Sequence, residues 1–367
     1  MALRLDSISI FQFKNYEHQT FRFTERIVGI CGRNGKGKTN LLDAVHYLCF
    51  TKSYFSRTDA TGVNHGIQGF RLEGHFDLNG KEEKVVCILR ETGRKEFLLN
   101  DEAYTKFSKH IGRYPCVVIA PDDVELIIGG SEERRKFVDT LLSQLDGVYL
   151  QALINYTKIL QQRNSFLRSL SDGFGRDFSV LDVLDEQLAK EGTIVFGKRR
   201  DFLRQFLPIA QAKYAEISGQ AEKVNLIYDS EMHNVTMTEL LGLTRQKDTV
   251  LGRTSGGVHR DDLTFQLGGQ TFKSIASQGQ RKSLLFALKL AEMEILKKEK
   301  GFSPLLLLDD VFEKLDEQRI TALLAQVCSD EETQVFITDT NCERLEKMME
   351  KIEAKAEITG LWIWCFS

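Results

Sequence analysis

Gly32-Arg33-Asn34-Gly35-Lys36-Gly37-Lys38-Thr39 decides how this chain is read. Two glycines five places apart, followed by Lys-Thr, fit the phosphate-loop pattern. Glycines let backbone N–H groups turn inward and close on phosphate oxygens. Lys38 offers a point charge to the β- and γ-phosphates, and Thr39 offers a hydroxyl to Mg²⁺. Just before the loop, Ile27, Val28, Ile30 and Cys31 form an apolar run that reads as a buried strand. After it, Leu41, Leu42, Val45, Leu48 and Cys49 recur at helical spacing, which predicts a helix whose N-terminus faces the phosphates. A purely structural Gly-rich turn would share the pattern but not these flanks. The nucleotide-binding set is therefore Gly32, Arg33, Asn34, Gly35, Lys36, Gly37, Lys38, Thr39 and Asn40, with ATP and Mg²⁺ as the ligands.

Leu305-Leu306-Leu307-Leu308 is continuously apolar, as a parallel strand buried on both faces should be. Asp309 and Asp310 then stand at its carboxyl end, where open α/β sheets place ligands. Asp309 is the expected Mg²⁺ carboxylate, acting through a water. Asp310 is the expected catalytic carboxylate, orienting or deprotonating the attacking water. Between these two motifs, Ser277 reads as an N-cap, with Leu284, Leu288, Ala291 and Ile295 as the helix's apolar stripe. Lys282, Lys289, Glu292 and Lys297 are expected mostly on wetter faces. An ordinary capped amphipathic helix would look the same; its position ahead of the acidic strand end distinguishes it.

That arrangement resembles the signature motif of ABC-type ATPases. The runs Ser277-Gln278-Gly279-Gln280-Arg281-Lys282-Ser283-Leu284-Leu285, Val258-His259-Arg260-Asp261-Asp262-Leu263, Leu160-Gln161-Gln162-Arg163-Asn164 and Asp309-Asp310-Val311-Phe312-Glu313-Lys314-Leu315-Asp316 resemble the RecF family of bacterial recombination mediator ATPases. The resemblance covers essentially the whole chain. It implies that Lys38 and Asp310 are catalytic and that Thr39 and Asp309 hold Mg²⁺. It further implies that Ser277, Gln278, Gly279 and Gln280 act in trans on nucleotide held by a second copy. Leu315-Asp316 resembles the D-loop that crosses such a dimer.

Two segments depart from the wider ABC pattern. Val117-Val118-Ile119-Ala120-Pro121-Asp122-Asp123 offers Pro121 and Asp122 where a Q-loop Gln would stand. Val335-Phe336-Ile337-Thr338-Asp339-Thr340 offers Asp339 or Thr340 in place of the switch His. Lys14, Asn15 and Tyr16 resemble a nucleotide-touching segment of SMC-like relatives, or are simply a polar strand end.

The 367 residues are 42% hydrophobic and 28% charged with four prolines, enough for two or three domains with ample core. No apolar stretch approaches the ~18 residues of a membrane span, and the N-terminus has no signal-peptide profile. The seven cysteines are scattered, without Cys-x-x-Cys or a His/Cys cluster, and read as reduced cytosolic thiols. Cys31 abuts the loop, so alkylation there would block nucleotide.

Residues 1–128 are rich in alternating strands, with Asn79-Gly80 and Asn100-Asp101 as hairpin turns. They read as the N-terminal part of an ATPase head. Residues 129–248 read as an inserted helical arm, its first helix capped by Ser131. Leu142, Leu145, Tyr149, Ala152, Tyr156, Leu160, Arg163 and Leu167 recur close to a 3.5-residue period, predicting packed helices. Residues 249–367 complete the head. The fold class is thus α/β: an ABC-type P-loop ATPase head of mixed sheet, with an antiparallel β subdomain and a helical arm too short for a long coiled coil.

Net charge is −3, which does not announce nucleic-acid binding. Arg134-Arg135-Lys136 and Lys198-Arg199-Arg200 are local basic clusters that could line a DNA groove or be solvated helix faces. The family resemblance implies an ATP-dependent homodimer on double-stranded and gapped DNA. It implies slow hydrolysis that resets the clamp, partnership with RecO and RecR, help in loading RecA, and a bacterial cytoplasmic, nucleoid-associated location. A different short-armed SMC-like ATPase without a RecA-loading role is the alternative.

Overall fold

The computed structural model describes residues 2–56, 58–64, 69–171, 178–219, 223–310, 324–325, 327–328 and 330–361. The D-loop-like Leu315-Asp316 lies outside them. In chain order the elements begin β1 (Leu3–Phe13), β2 (Tyr16–Arg22), β3 (Ile27–Cys31), α1 (Lys38–Phe50), β4 (Phe70–Leu78), β5 (Lys81–Leu89), β6 (Lys95–Leu99), β7 (Glu102–Ala103) and β8 (Cys116–Ile119). There follow α2 (Glu125–Ile128), α3 (Ser131–Leu145), α4 (Gly147–Ser171), α5 (Ser179–Ser218), β9 (Val224–Asp229), α6 (Met237–Leu251), β10 (Asp262–Leu267), β11 (Gln270–Thr271) and α7 (Phe272–Ile275). The chain ends with α8 (Gln278–Lys300), β12 (Leu305–Leu308), β13 (Val335–Asp339), α9 (Cys342–Lys351) and β14 (Ala356–Gly360).

Two compact units result, Met1–Asp123 with Lys289–Ser367, and Val124–Leu288. The first holds an antiparallel sheet, β2-β1-β4-β5-β6-β7, and a parallel sheet, β14-β3-β13-β12-β8. Asn79-Gly80 and Asn100-Asp101 do turn hairpins, all four residues at positive φ, as a tight turn between twisted strands requires. Helix α1 touches strands of both sheets, and eleven of its thirteen residues are buried. That explains why its apolar residues extend beyond a single stripe. Buried Gln334 ties the sheets as a strand would: its amide donates to the Leu5 carbonyl (3.0 Å) and accepts from the Leu5 N–H (2.7 Å).

The second unit packs α3 to α6 around buried arginines. Arg163, fully buried, meets Asp185 (2.6 Å), Asp248 (2.8 Å) and the Thr254 hydroxyl (2.8 Å). Next to it, Asn164 accepts from the Thr254 N–H and hydroxyl, both at 2.7 Å. Arg199 bridges Asp139 (2.8 Å) and Asp261 (3.1 Å), and Tyr156 bonds His259 (2.7 Å). The motifs around Arg163 and Asp261 that carry the family resemblance therefore meet inside this unit.

Several expectations are corrected. The second unit runs to Leu288, well past 248, because β10 pairs with β9 along its whole length and holds the returning chain. Ser131 is the first residue of α3, and Gly130 occupies the cap. Arg134 and Arg199 are no solvated face: they are 8% and 3% exposed, and Arg134 clasps Asp262 at 2.6 Å. Lys289 and Glu292 are likewise buried. They lie 3.6 Å apart, and Lys289 is 3.8 Å from Asp123, so the helix keeps these charges by pairing them.

Burial pushes Glu292 up to about 7, Lys289 and Asp123 pulling it in opposite directions. Burial also opposes the charge of Lys289, but Glu292 and Asp123 outweigh it and hold the ammonium above its ordinary range. We expect Lys289→Met to cost about 3 kcal/mol in urea unfolding, since buried Glu292 and half-buried Asp123 lose their cation. A folded-state value above the unfolded one favours the protonated acid, a preference lost as pH rises through it. The cost should therefore be smaller near about pH 5.5 than about pH 8.

Candidate nucleotide site

Strand β13 lies between β3 and β12, with Thr338 opposite Ile30, Asp339 opposite Cys31 and Ile337 opposite Leu308. All three run parallel, so the phosphate loop leaving β3 and the acids leaving β12 emerge at the same edge. This brings together residues 270 positions apart: the Thr39 hydroxyl donates to both Asp309 oxygens at 3.0 Å. Lys38 Nζ donates to the Gly32 carbonyl at 3.0 Å and lies 4.0 Å from Asp310.

Local chemistry shapes the loop. Gly37 has φ +101, and a Cβ there would sit 2.8 Å from Asn15 Nδ2 and 2.9 Å from Tyr16 Oη. Tyr16 donates to the Gly37 carbonyl (3.0 Å), and Asn40 donates to Asn15 (2.6 Å), so the β1–β2 turn braces the loop from below. Lys14 is committed to Asp43 at 2.6 Å. Gly35, at φ +78, faces open space where a Cβ would stand, and Arg33, Asn34 and Gly35 are exposed. No side chain caps α1, and its first turn has no acid, leaving the positive helix end for an anion.

The donor set fits the ligands that the motif implies. Thr39 and Asp309 offer convergent hydroxyl and carboxylate oxygens, the hard donors Mg²⁺ takes. Burial pushes Asp309 above its ordinary range, Thr338 and Thr39 hydroxyls partly offset this, and Asp310 adds to it. A cation would relieve that cost.

The two unusual segments behave differently from expectation. Asp123, not the exposed Asp122, turns inward, accepting from the Ala120 N–H (2.9 Å) and the Tyr54 hydroxyl. Asp339 is clasped by Arg344 (2.7 Å through Nε) and accepts from the Asn341 N–H (3.0 Å), so its carboxylate is committed to the fold. Thr338, one residue earlier, is the polar group that reaches the acids. The only sequence signal was a hydroxyl at the end of an apolar strand. The cysteines are also corrected: Cys31 and Cys342 form a disulfide, their Cα atoms 5.2 Å apart where β3 ends and α9 begins. Cys31 is therefore paired. Cys49, Cys87, Cys116 and Cys328 are buried thiols outside this disulfide.

Ser277 and Gln280 form a reciprocal cap on α8. Gln280 N–H donates to the Ser277 hydroxyl (3.2 Å), and the Ser277 N–H donates to Gln280 Oε1 (2.6 Å). Ser277 and Gln278 are exposed, Gly279 and Gln280 half-buried. Of the basic clusters, Lys136, Lys198 and Arg200 are exposed; Lys198 pairs with Asp146 (2.7 Å) and Arg200 with Asp201 (2.9 Å). Arg135 is half-buried and donates to the Asp261 carbonyl (2.7 Å).

The family described as RecF/RecN/SMC N terminal domain matches residues 4–360. The DNA replication and repair protein RecF of Flavobacterium johnsoniae is 40% identical over 359 residues, covering 98% of this chain and 100% of that protein. The chain belongs to the RecF family. RecF of Phocaeicola vulgatus is 42% identical over 356 residues, covering 96% of this chain and 95% of its own. A solved structure of the recombination mediator protein RecF with ATP, from the RecFOR pathway, superposes with a TM-score of 0.86 at 30% identity, covering 93% of this chain and 92% of that one. The ABC-type ATPase head expected from the sequence is the fold the chain has. No described helix is long and apolar enough to cross a membrane.

Asp309→Asn tests the electrostatics of the site. Because burial raises the folded-state value of Asp309, its ionised form costs stability above that value. We expect the neutral variant to raise the nucleotide-free Tm by about 1–2 °C. The same variant should lose the Mg²⁺-dependent part of ATP binding, read with a fluorescent ATP analogue.

Proposed function

We propose that this chain is an ATP-dependent DNA-binding protein of the RecF type. It dimerises on ATP, binds duplex and gapped DNA, and acts with RecO and RecR to promote RecA loading. One observation carries the reading: Thr39 and Asp309 converge beside Lys38 and Asp310 on one edge of the parallel sheet. The relatives' names, which speak of DNA replication and repair and of the RecFOR pathway, support the biological setting.

In this reading residues 32–40 cradle the phosphates with backbone N–H groups, and Lys38 balances charge on the β- and γ-phosphates. Thr39 and Asp309 hold Mg²⁺, which when bound neutralises phosphate charge and polarises the γ-phosphoryl group. Asp310 orients the water or accepts its proton. Its short side chain suits slow turnover, a timer more than a motor. Ser277, Gln278, Gly279 and Gln280 meet the γ-phosphate held by the other copy. The exposure of Ser277 at a capped helix start supports that role. Closure is then favoured by the γ-phosphate, and hydrolysis removes what favours it. Lys136, Lys198 and Arg200 remain DNA-contact candidates; burial excludes Arg134 and Arg199. The protein works in the bacterial cytoplasm, at the nucleoid.

Anisotropy of labelled gapped duplex at fixed salt should rise with Mg²⁺–ATP and stay flat with Mg²⁺–ADP. Equal, negligible binding in both would remove intrinsic DNA binding from this account. Lys38→Ala should lose ATP-driven dimerisation, and Ser277→Ala should bind ATP as a monomer. Asp310→Asn should bind ATP and stay dimeric; rapid turnover by it would overturn the role given to Asp310.

A further inference from the structure

Asp310 has a backbone that L-residues avoid. Its φ is +42, in the left-handed region, a conformation disfavoured for a residue with a Cβ. Something must hold it there. The Asp310 N–H donates to the Thr338 hydroxyl at 2.8 Å. That same hydroxyl donates to Asp309 Oδ1 at 2.9 Å. Both functions of one oxygen are thus used, one on each acid.

The placement follows from sheet register. Leu308 is opposite Ile337, so Thr338 stands alongside Asp309, just beyond the last paired residues of β12 and β13. On its other side Thr338 is opposite Ile30, which leads into the phosphate loop. Its side chain is fully buried. A β-branched residue suits this strand, and Val would fill nearly the same volume; only the hydroxyl reaches the acids. Asp309 also accepts from Thr39. Thr39 is the group that would turn to Mg²⁺, which leaves Thr338 as the donor that still orients Asp309.

We propose that Thr338 is the positioning residue of the hydrolytic site, its one hydroxyl aiming Asp309 and locking the Asp310 backbone so that both carboxylates face the phosphate loop. The proposal rests on the reading of Asp309 and Asp310 given above. It moves the sensing position of this strand away from Asp339, which Arg344 occupies, to a residue whose part is to hold the acids.

The test compares Thr338→Val with Thr338→Ser. In nucleotide-free protein, Asp310 amide exchange should quicken by about tenfold or more in the Val variant, as expected for loss of a bond worth ~1.4 kcal/mol, and stay near wild type in Ser. With ATP, the Val variant should lose about tenfold or more in kcat while KM moves by less than about threefold. Its half-saturating Mg²⁺ should rise, and Ser should recover most of both. Unchanged exchange in the Val variant would overturn the lock itself. A Ser variant as impaired as Val would overturn the hydroxyl's role and leave only shape. Wild-type protein without Mg²⁺-dependent ATP turnover would overturn the reading of the acids and the catalytic half of the proposal, while the exchange result would still judge the lock.

Discussion

Keeping a buried carboxylate charged is the constraint around which the head is built. Asp309 is 4% exposed and close to a second acid, so the fold must surround it with donors or a cation. Thr39 and Lys38 come from α1 and Thr338 from β13, and all three are needed at the same edge. Parallel order β3-β13-β12 is what delivers them there. The burial of α1 against both sheets, the glycine at 37 against the Asn15–Tyr16 turn and the left-handed Asp310 all serve that one convergence.

Charge burial is also how the second unit is held together. Arg163 and Arg199 each sit inside it with two carboxylates for partners. Such networks add little net stability over apolar packing, but removing one member is costly, so they favour a single arrangement of the helices. The sequence runs that point to the RecF family around Arg163 and Asp261 are these networks. They are evidence about architecture, whereas the phosphate loop and the acids are evidence about chemistry. The two kinds of motif agree on the family for different physical reasons.

A basic residue in a helical run is ambiguous until its neighbours are known. Arg134 and Lys136 are two apart in one helix, yet Arg134 is held by Asp262 and Lys136 faces solvent. Asp262 lies 128 positions away, so nothing local distinguishes them. Lys289 and Glu292 teach the same lesson inside α8. The Cys31–Cys342 pair, separated by 311 residues, shows it for cysteine chemistry.

What the sequence determined by itself was local or periodic. The loop from Gly32 to Thr39, the buried run Leu305–Leu308, the Ser277 cap and the hairpin turns at Asn79 and Asn100 are each encoded within a few residues, because glycine conformations, caps and strand burial act at short range. Only the tertiary structure decided which charges are inside, where the second unit ends, and that Thr338 rather than Asp339 touches the acids. Those outcomes depend on strand register and on partners distant in sequence, and a one-residue change of register would hand the same contacts to a different side chain.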